Sequence, residues 1–347
     1  MEKPQLAVKP TIMAVLNGNS FAVVAALIPA ALISQLLKAL PQTGLVGQVE
    51  VMVALAQSTL PLIAAFVVGN MLRLSNLETA SMALATFVAS GVVTVKGDAY
   101  MIAGTGVILN IMLTTLIASY VACLSSRLLG QLRMVFEPLV VLLISGGIGL
   151  LTLPIMVAVQ GAVGQVVAQA TRVSPLLMGV LLGMLFAFLI VSPLSSVGIA
   201  TAIGLSGVGS GAANAGIVAA AITLAVMGAG VNSGGAIIAH FMGSPKIQMA
   251  NMLSHPKLFM SVLLAAGVSG GVASLLGMSG TAFSAGFGLS GFIGPLTALN
   301  ESQGDLLGIR VILAFIVVPL LLGILMKLVF MKKVPLIQGE ELALPDI

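Results

Sequence analysis

Charge is scarce in this chain. Its 347 residues include 14 Lys and Arg and 10 Asp and Glu, 7% of the sequence, against about 25% in an ordinary soluble domain. So few ionisable side chains cannot wet the surface of a 35.0 kDa globule, which excludes a conventional soluble fold. Cysteine is nearly absent as well. Cys123 stands alone, which excludes an intrachain disulfide and a cysteine-cluster metal site. It closes an apolar run, where packing is its ordinary role. Two histidines, His240 and His255, cannot build a conventional zinc site without carboxylates beside them. The formal net charge of +4 is modest and the basic residues are scattered, so no basic stripe for nucleic acid forms.

Apolar residues fill the space that charge leaves, at 59% of the chain. Runs long enough to cross a bilayer lie near 12–37, 53–72, 76–95, 101–123, 137–157, 174–192, 212–230, 258–277, 281–299 and 306–330. A membrane helix needs roughly 20 such residues, so the chain reads as an all-α integral membrane protein with about ten transmembrane helices. A membrane barrel would show short alternating segments, and these runs do not alternate. The first run is longer than a signal-peptide core and reads as the first span. The organisation expected is a cytoplasmic N-terminal tail over 1–11, one membrane-embedded domain over 12–331, and a cytoplasmic C-terminal tail over 332–347. Lys3 and Lys9 at one end, and Lys327, Lys332 and Lys333 at the other, favour both tails inside.

Three stretches interrupt this pattern: 192–211 (SPLSSVGIATAIGLSGVGSG), 228–245 (GAGVNSGGAIIAHFMGSP) and 277–295 (GMSGTAFSAGFGLSGFIGP). Each is too rich in Gly and Ser for a smooth lipid-facing helix. Irregular backbone at membrane depth survives only where protein buries it or where it lines a wet cavity. Broken or re-entrant helices beside a substrate are one reading of the first two stretches. Close helix packing through glycine is the other, and it is favoured for the third. The string GFGLSG at 286–291 matches a dinucleotide fingerprint only as letters, because no strand–helix unit surrounds it.

No catalytic motif is present, so candidate residues are the polar side chains placed among apolar ones. His240 follows an apolar run. It either exchanges a proton with a substrate hydroxyl, since imidazole titrates near neutrality, or is an interfacial histidine held by a backbone carbonyl. Lys246 is a second candidate, against the reading of a lysine snorkelling to the interface. Asn17, Asn110, Asn214, Asn232 and Gln248 offer both donors and acceptors, as a polyhydroxylated ligand requires; bonding between helices is their alternative role. His255 reads as a loop residue. Glu78 and Glu137 sit at span ends beside Arg73 and Arg133, as interfacial ion pairs would.

The segment AHFMGSPKIQMANMLSHPKL at 239–258 is followed at once by an apolar span. Together with NGNSFAVVAALIPAALI at 17–33, and ATFVASGVV and AGTGVILNIML between 85 and 113, it resembles the IIC component of the bacterial phosphotransferase system. The similarity is strongest to the stand-alone branch that includes a perfringolysin regulatory protein. The resemblance implies a sugar permease in the bacterial inner (plasma) membrane, with a sugar bound midway and no cofactor. It also implies a homodimer in lipid, and separate IIA and IIB phosphocarrier proteins as partners. His240 and Lys246 would then assist at the hydroxyl that becomes phosphorylated. The Gly-Ile-Thr-Glu motif of the glucose-type branches is missing. The alternatives are a membrane ligand sensor without transport, and an uncoupled secondary transporter.

Overall fold

A computed structural model describes residues 6–38, 40–41, 43–97 and 99–344. Lys3, Asp98 and the ends of both tails lie outside the described residues. The chain divides into two compact units, residues 1–30 with 37–159 and residues 31–36 with 160–347.

The first unit carries α1 (Val8–Lys38), α2 (Gly44–Ser58), α3 (Leu60–Met71), α4 (Asn76–Val88), a hairpin of β1 (Val93–Lys96) and β2 (Ala99–Ile102), α5 (Ile108–Leu128), α6 (Arg133–Val141) and most of α7 (Gly147–Ala170). Ser75 starts α4 with a reciprocal cap. Its Oγ accepts from the Glu78 amide at 3.4 Å, and its own amide donates to Glu78 Oε2 at 2.6 Å. Arg133 then gathers both acids, at 3.0 Å from Glu137 and 3.9 Å from Glu78. The expected pairing of Glu78 with Arg73 is therefore corrected. Arg73 turns outward at the end of α3 with a left-handed backbone, φ 54°. The hairpin is a second departure from the expected spans. It takes the start of the expected span at 101, so that α5 begins only at Ile108.

The second unit carries α8 (Pro175–Ile190), α9 (Ser196–Ala202), α10 (Gly207–Gly228), α11 (Gly234–Ile238), α12 (Met249–Ser254), α13 (Leu258–Leu275), α14 (Ile293–Glu301), α15 (Leu307–Ile312) and α16 (Val318–Lys327). Its centre is α10, packed against α8, α13 and α16. Gly and Ala dominate α10 because neighbouring backbones press on it. A Cβ on Gly216 would lie 2.3 Å from the Gly183 carbonyl oxygen, and one on Gly183 only 2.4 Å from that of Ala266. Small residues let helices approach this closely where lipid offers no hydrophobic drive between them.

Among the described residues, six helices are long and apolar enough to cross a membrane. The number is seven if α2 and α3, bent by 42° at their break, form one span. The chain is thus a multi-pass α-helical membrane protein. Three of the ten expected spans are not long helices. The run at 76–95 holds the 13-residue α4, that at 174–192 the 16-residue α8, and that at 281–299 short turns leading into α14. Pro193 explains the stop of α8, since the residue before proline is pushed away from helical backbone.

Broken helices leave carbonyls without partners, and here three cations supply them. Lys246 reaches the Ser192 and Leu194 carbonyls just past α8. Arg310 reaches the Leu276 carbonyl at the end of α13, and Lys327 the Val226 carbonyl in the last turn of α10 at 2.9 Å. Each cation sits at a helix C-terminus, where the helix dipole favours positive charge.

Candidate functional site

The segment between α10 and α13 is built to stop and restart. Ser233 caps α11 through the Ala236 amide, and α11 widens into a single π-helical turn over Ala239–Gly243. Such turns are frequent at functional sites. Pro245 then starts a tight turn over Pro245–Gln248 that leads into α12. The wide turn carries His240 and the tight one carries Lys246 and Gln248.

His240 is completely buried. Its Nδ1 lies 2.7 Å from the Ala236 carbonyl oxygen, which can only accept, so Nδ1 bears the hydrogen. Nε2 is left as an acceptor and faces the Gln248 amide nitrogen at 3.1 Å. The polarity of this chain is set further out. Gln248 Oε1 accepts from Asn251 Nδ2 at 2.7 Å, which keeps the Gln248 nitrogen turned toward the imidazole. The second hydrogen of Gln248 goes to the Leu342 carbonyl at 2.9 Å.

Asn232 joins the same carbonyl. Its Nδ2 donates to Leu342 O at 2.9 Å, and its Oδ1 accepts from the Leu344 amide at 2.8 Å. Asn251 also donates to the Ala343 carbonyl at 2.9 Å. His240, Gln248 and Asn232 are thus brought into one network, with Asn251 added. The pattern at 248 and 251 carried a signal for that addition, since residues three apart share a helical face.

The other candidates stand apart from this network. Lys246 does not snorkel. It is 97% buried, and its ammonium is spent on the two carbonyls past α8, a correction to the expected interfacial lysine. Asn214, on α10, accepts from the Gly288 amide at 2.9 Å and faces Ser284 Oγ at 3.5 Å. It therefore pins the 277–295 stretch to α10. Gly288 takes a left-handed φ of 60° there, a conformation that favours glycine.

That stretch also meets the other two irregular ones. Ser196 donates to the Gly286 carbonyl at 2.9 Å, Ser290 donates to that of Gly243, and Gly207 and Gly280 pair through their backbones. All three Gly-rich breaks converge in the second unit.

Asn110 and Asn17 belong to the first unit. Asn110 is fully buried and consumed by structure. It donates to the Ala89 carbonyl at 2.6 Å and the Gly149 carbonyl at 2.9 Å, and accepts from Thr152 at 2.7 Å. Asn17 is half-buried on α1. A cleft of about 320 Å³ in this unit is lined by Leu6, Tyr120, Cys123, Leu124 and Arg127, none of them a sequence candidate. Among the described residues no three His, Cys, Asp or Glu side chains gather as metal ligands would.

The family described as "Phosphotransferase system, EIIC" matches residues 13–344. Searches of curated proteins and of solved structures find no match. The family match does not extend to the regulator-named branch of the resemblance. It spans both compact units and implies a sugar substrate with IIA and IIB partner proteins. This chain belongs to the phosphotransferase system EIIC family, the membrane permease component of a sugar phosphotransferase system.

Proposed function

We propose that the chain binds and translocates one sugar or closely related polyol across the bacterial inner membrane, for phosphorylation by separate IIA and IIB proteins. The family match over residues 13–344 carries this reading. Both compact units act together as one IIC domain, embedded in lipid as a homodimer, with both tails in the cytoplasm. The α4, α8 and 281–301 segments complete the expected ten crossings as short or broken spans. At 1.5 Å per residue α8 reaches only about 24 Å, short of the roughly 30 Å hydrocarbon core, so its end would lie inside the membrane.

The sugar site is placed where the three Gly-rich breaks converge, with His240, Gln248 and Asn232 facing the substrate hydroxyls and Asn214 and Lys246 holding the surrounding backbone. Two features support it. Non-helical backbone at depth is tolerated in membranes beside a substrate or a wet cavity. The buried amide–imidazole chain also carries donors and acceptors in alternation, which suits a polyol that exchanges with their present partners. His240 Nε2, the lone pair of the ring, is the group that would accept a hydrogen from the attacked hydroxyl as the phosphoryl group arrives.

Thermal unfolding of the detergent-purified protein against a panel of sugars, amino sugars and polyols tests this. A ligand at about 100 times its Kd stabilises the fold by roughly 2.7 kcal/mol. A selective shift that His240→Ala removes, while the variant stays folded, is the expected result. If no member of the panel shifts the folded protein, the sugar reading is wrong.

A further inference from the structure

The last described residues lie across the His240 network as a strap. After Ile337, which is buried, Gly339–Leu342 form one tight turn, closed by the Gln338 amide donating to Glu341 Oε2 at 3.1 Å. Beyond the turn the chain is held by its main chain. The Leu342 carbonyl accepts from Gln248 and Asn232, the Ala343 carbonyl from Asn251, and the Leu344 amide donates to Asn232. Two side chains fix it at either flank. Glu341 lies 2.7 Å from Lys257, and Leu342 is fully buried.

We propose that Gln338–Leu344 is an internal strap that holds His240 closed, by keeping Gln248 hydrogen-bonded to its Nε2. That release of the strap then admits a substrate hydroxyl to the imidazole rests on the function proposed above. The argument is one of counted hydrogen bonds. Nε2 is the single acceptor of the ring, and Gln248 occupies it. Gln248 is itself held there from two directions, by Leu342 directly and by Asn251, whose other hydrogen is anchored on Ala343. Both anchors are strap carbonyls. Without the strap, both amides lose the partners that select their rotamers, and Gln248 is free to turn from the ring.

The strap is also suited to release. Glu341 is tethered to Lys257 at 2.7 Å and faces His255 at 3.8 Å, both side chains 40% exposed, and exposed pairs bind weakly.

The test uses the full chain with both histidines kept, because His255 faces Glu341 at 3.8 Å and belongs to the tether; the peptides that carry His240 and His255 are read separately. Diethyl pyrocarbonate acylates an unprotonated imidazole nitrogen that it can reach, and peptide mass spectrometry reads the modified fraction over time. With the strap intact, His240 should react slowly. Glu341→Lys sets two cations against each other at the Lys257 tether, and acylation should become about ten-fold faster. Truncation after Leu336 should give at least the same acceleration. Should the truncated chain misfold, Glu341→Lys alone decides, because Glu341 is no part of the apolar core.

Equal rates in the intact and the folded strap variants would overturn the proposal. The sugar panel, run on the same proteins, separates the two claims. Faster acylation with no sugar bound by the strap-released protein would leave the strap standing and sink the sugar reading. Sugar binding with unchanged acylation would do the reverse.

Discussion

Gln248 lies 3.1 Å from His240 Nε2 and donates to it, although the two are only eight residues apart on a chain that turns twice between them. The same amide group reaches Leu342, 94 residues away. One side chain thus couples a local imidazole to the far end of the sequence, and every polar atom it carries is engaged.

Gln248→Leu should therefore destabilise the fold as well as alter the site. It strands the fully buried His240 acceptor and takes a partner from the half-buried Asn251. A buried acceptor left without a donor costs about 1–3 kcal/mol. Denaturant or thermal unfolding in detergent measures the loss. A variant as stable as the parent would mean that water or another side chain readily replaces Gln248.

Lys246→Met is expected to lower stability more than ligand affinity. The ammonium bonds two carbonyls that follow the last turn of α8, and hydrogen bonds to charged groups contribute about 1.5–3 kcal/mol. The Met stem preserves packing, so the loss isolates the cap. Unchanged stability together with lost sugar binding would return Lys246 to a direct role at the substrate.

Gly216→Val should prevent correct assembly of the second unit. The new side chain would begin 2.3 Å from the Gly183 carbonyl oxygen, against backbone that cannot give way as a flexible side chain does. Overpacking of this kind costs about 1–3 kcal/mol or more. The readout is the yield of monodisperse protein by size-exclusion chromatography. A normal yield would show that α8 and α10 can separate without penalty.

Strap docking should depend on acid in one direction. Burial pushes the Glu341 carboxyl up, but the Lys257 hydrogen bond, the Gln338 amide and the Lys257 and His255 charges outweigh it and hold the carboxyl below the usual range. A carboxylate whose folded value is depressed stabilises above its unfolded pKa and loses that stabilisation as pH falls through the folded one. Limited proteolysis of the C-terminal segment should accordingly stay constant from about pH 7 down to the ordinary carboxylate range, and accelerate below it. In Lys257→Met the acceleration should begin at higher pH. A tail whose protease sensitivity ignores acid would show that Glu341 does not tether it.

Membrane residence, helical class and the positions of the three irregular stretches follow from the sequence alone. Each is a local property of composition: apolar runs of span length, and Gly and Ser where those runs fail. Family membership was legible in the 239–258 segment for a similar reason, since its Gly, Pro and polar residues sit close together. The count of long helices was not. Pro193 shortens the helix before it, and a hairpin takes residues that composition assigns to a span.

Tertiary structure alone decided what the polar side chains do. Asn110, Asn214 and Lys246 each admit a ligand-facing and a structural reading in the sequence, and in the fold their bonds go to backbone 21 to 74 residues away, at Ala89, Gly149, Gly288, Ser192 and Leu194. Asn232 and Gln248 meet each other only at the Leu342 carbonyl, which no spacing announces. Arg133 takes Glu78 from 55 residues away in place of the nearer Arg73 (133 − 78 = 55). The reason is physical. Apolar burial is non-directional and adds up over a run, so composition reveals it; a hydrogen bond needs one partner at one distance and angle, and only the folded chain chooses which.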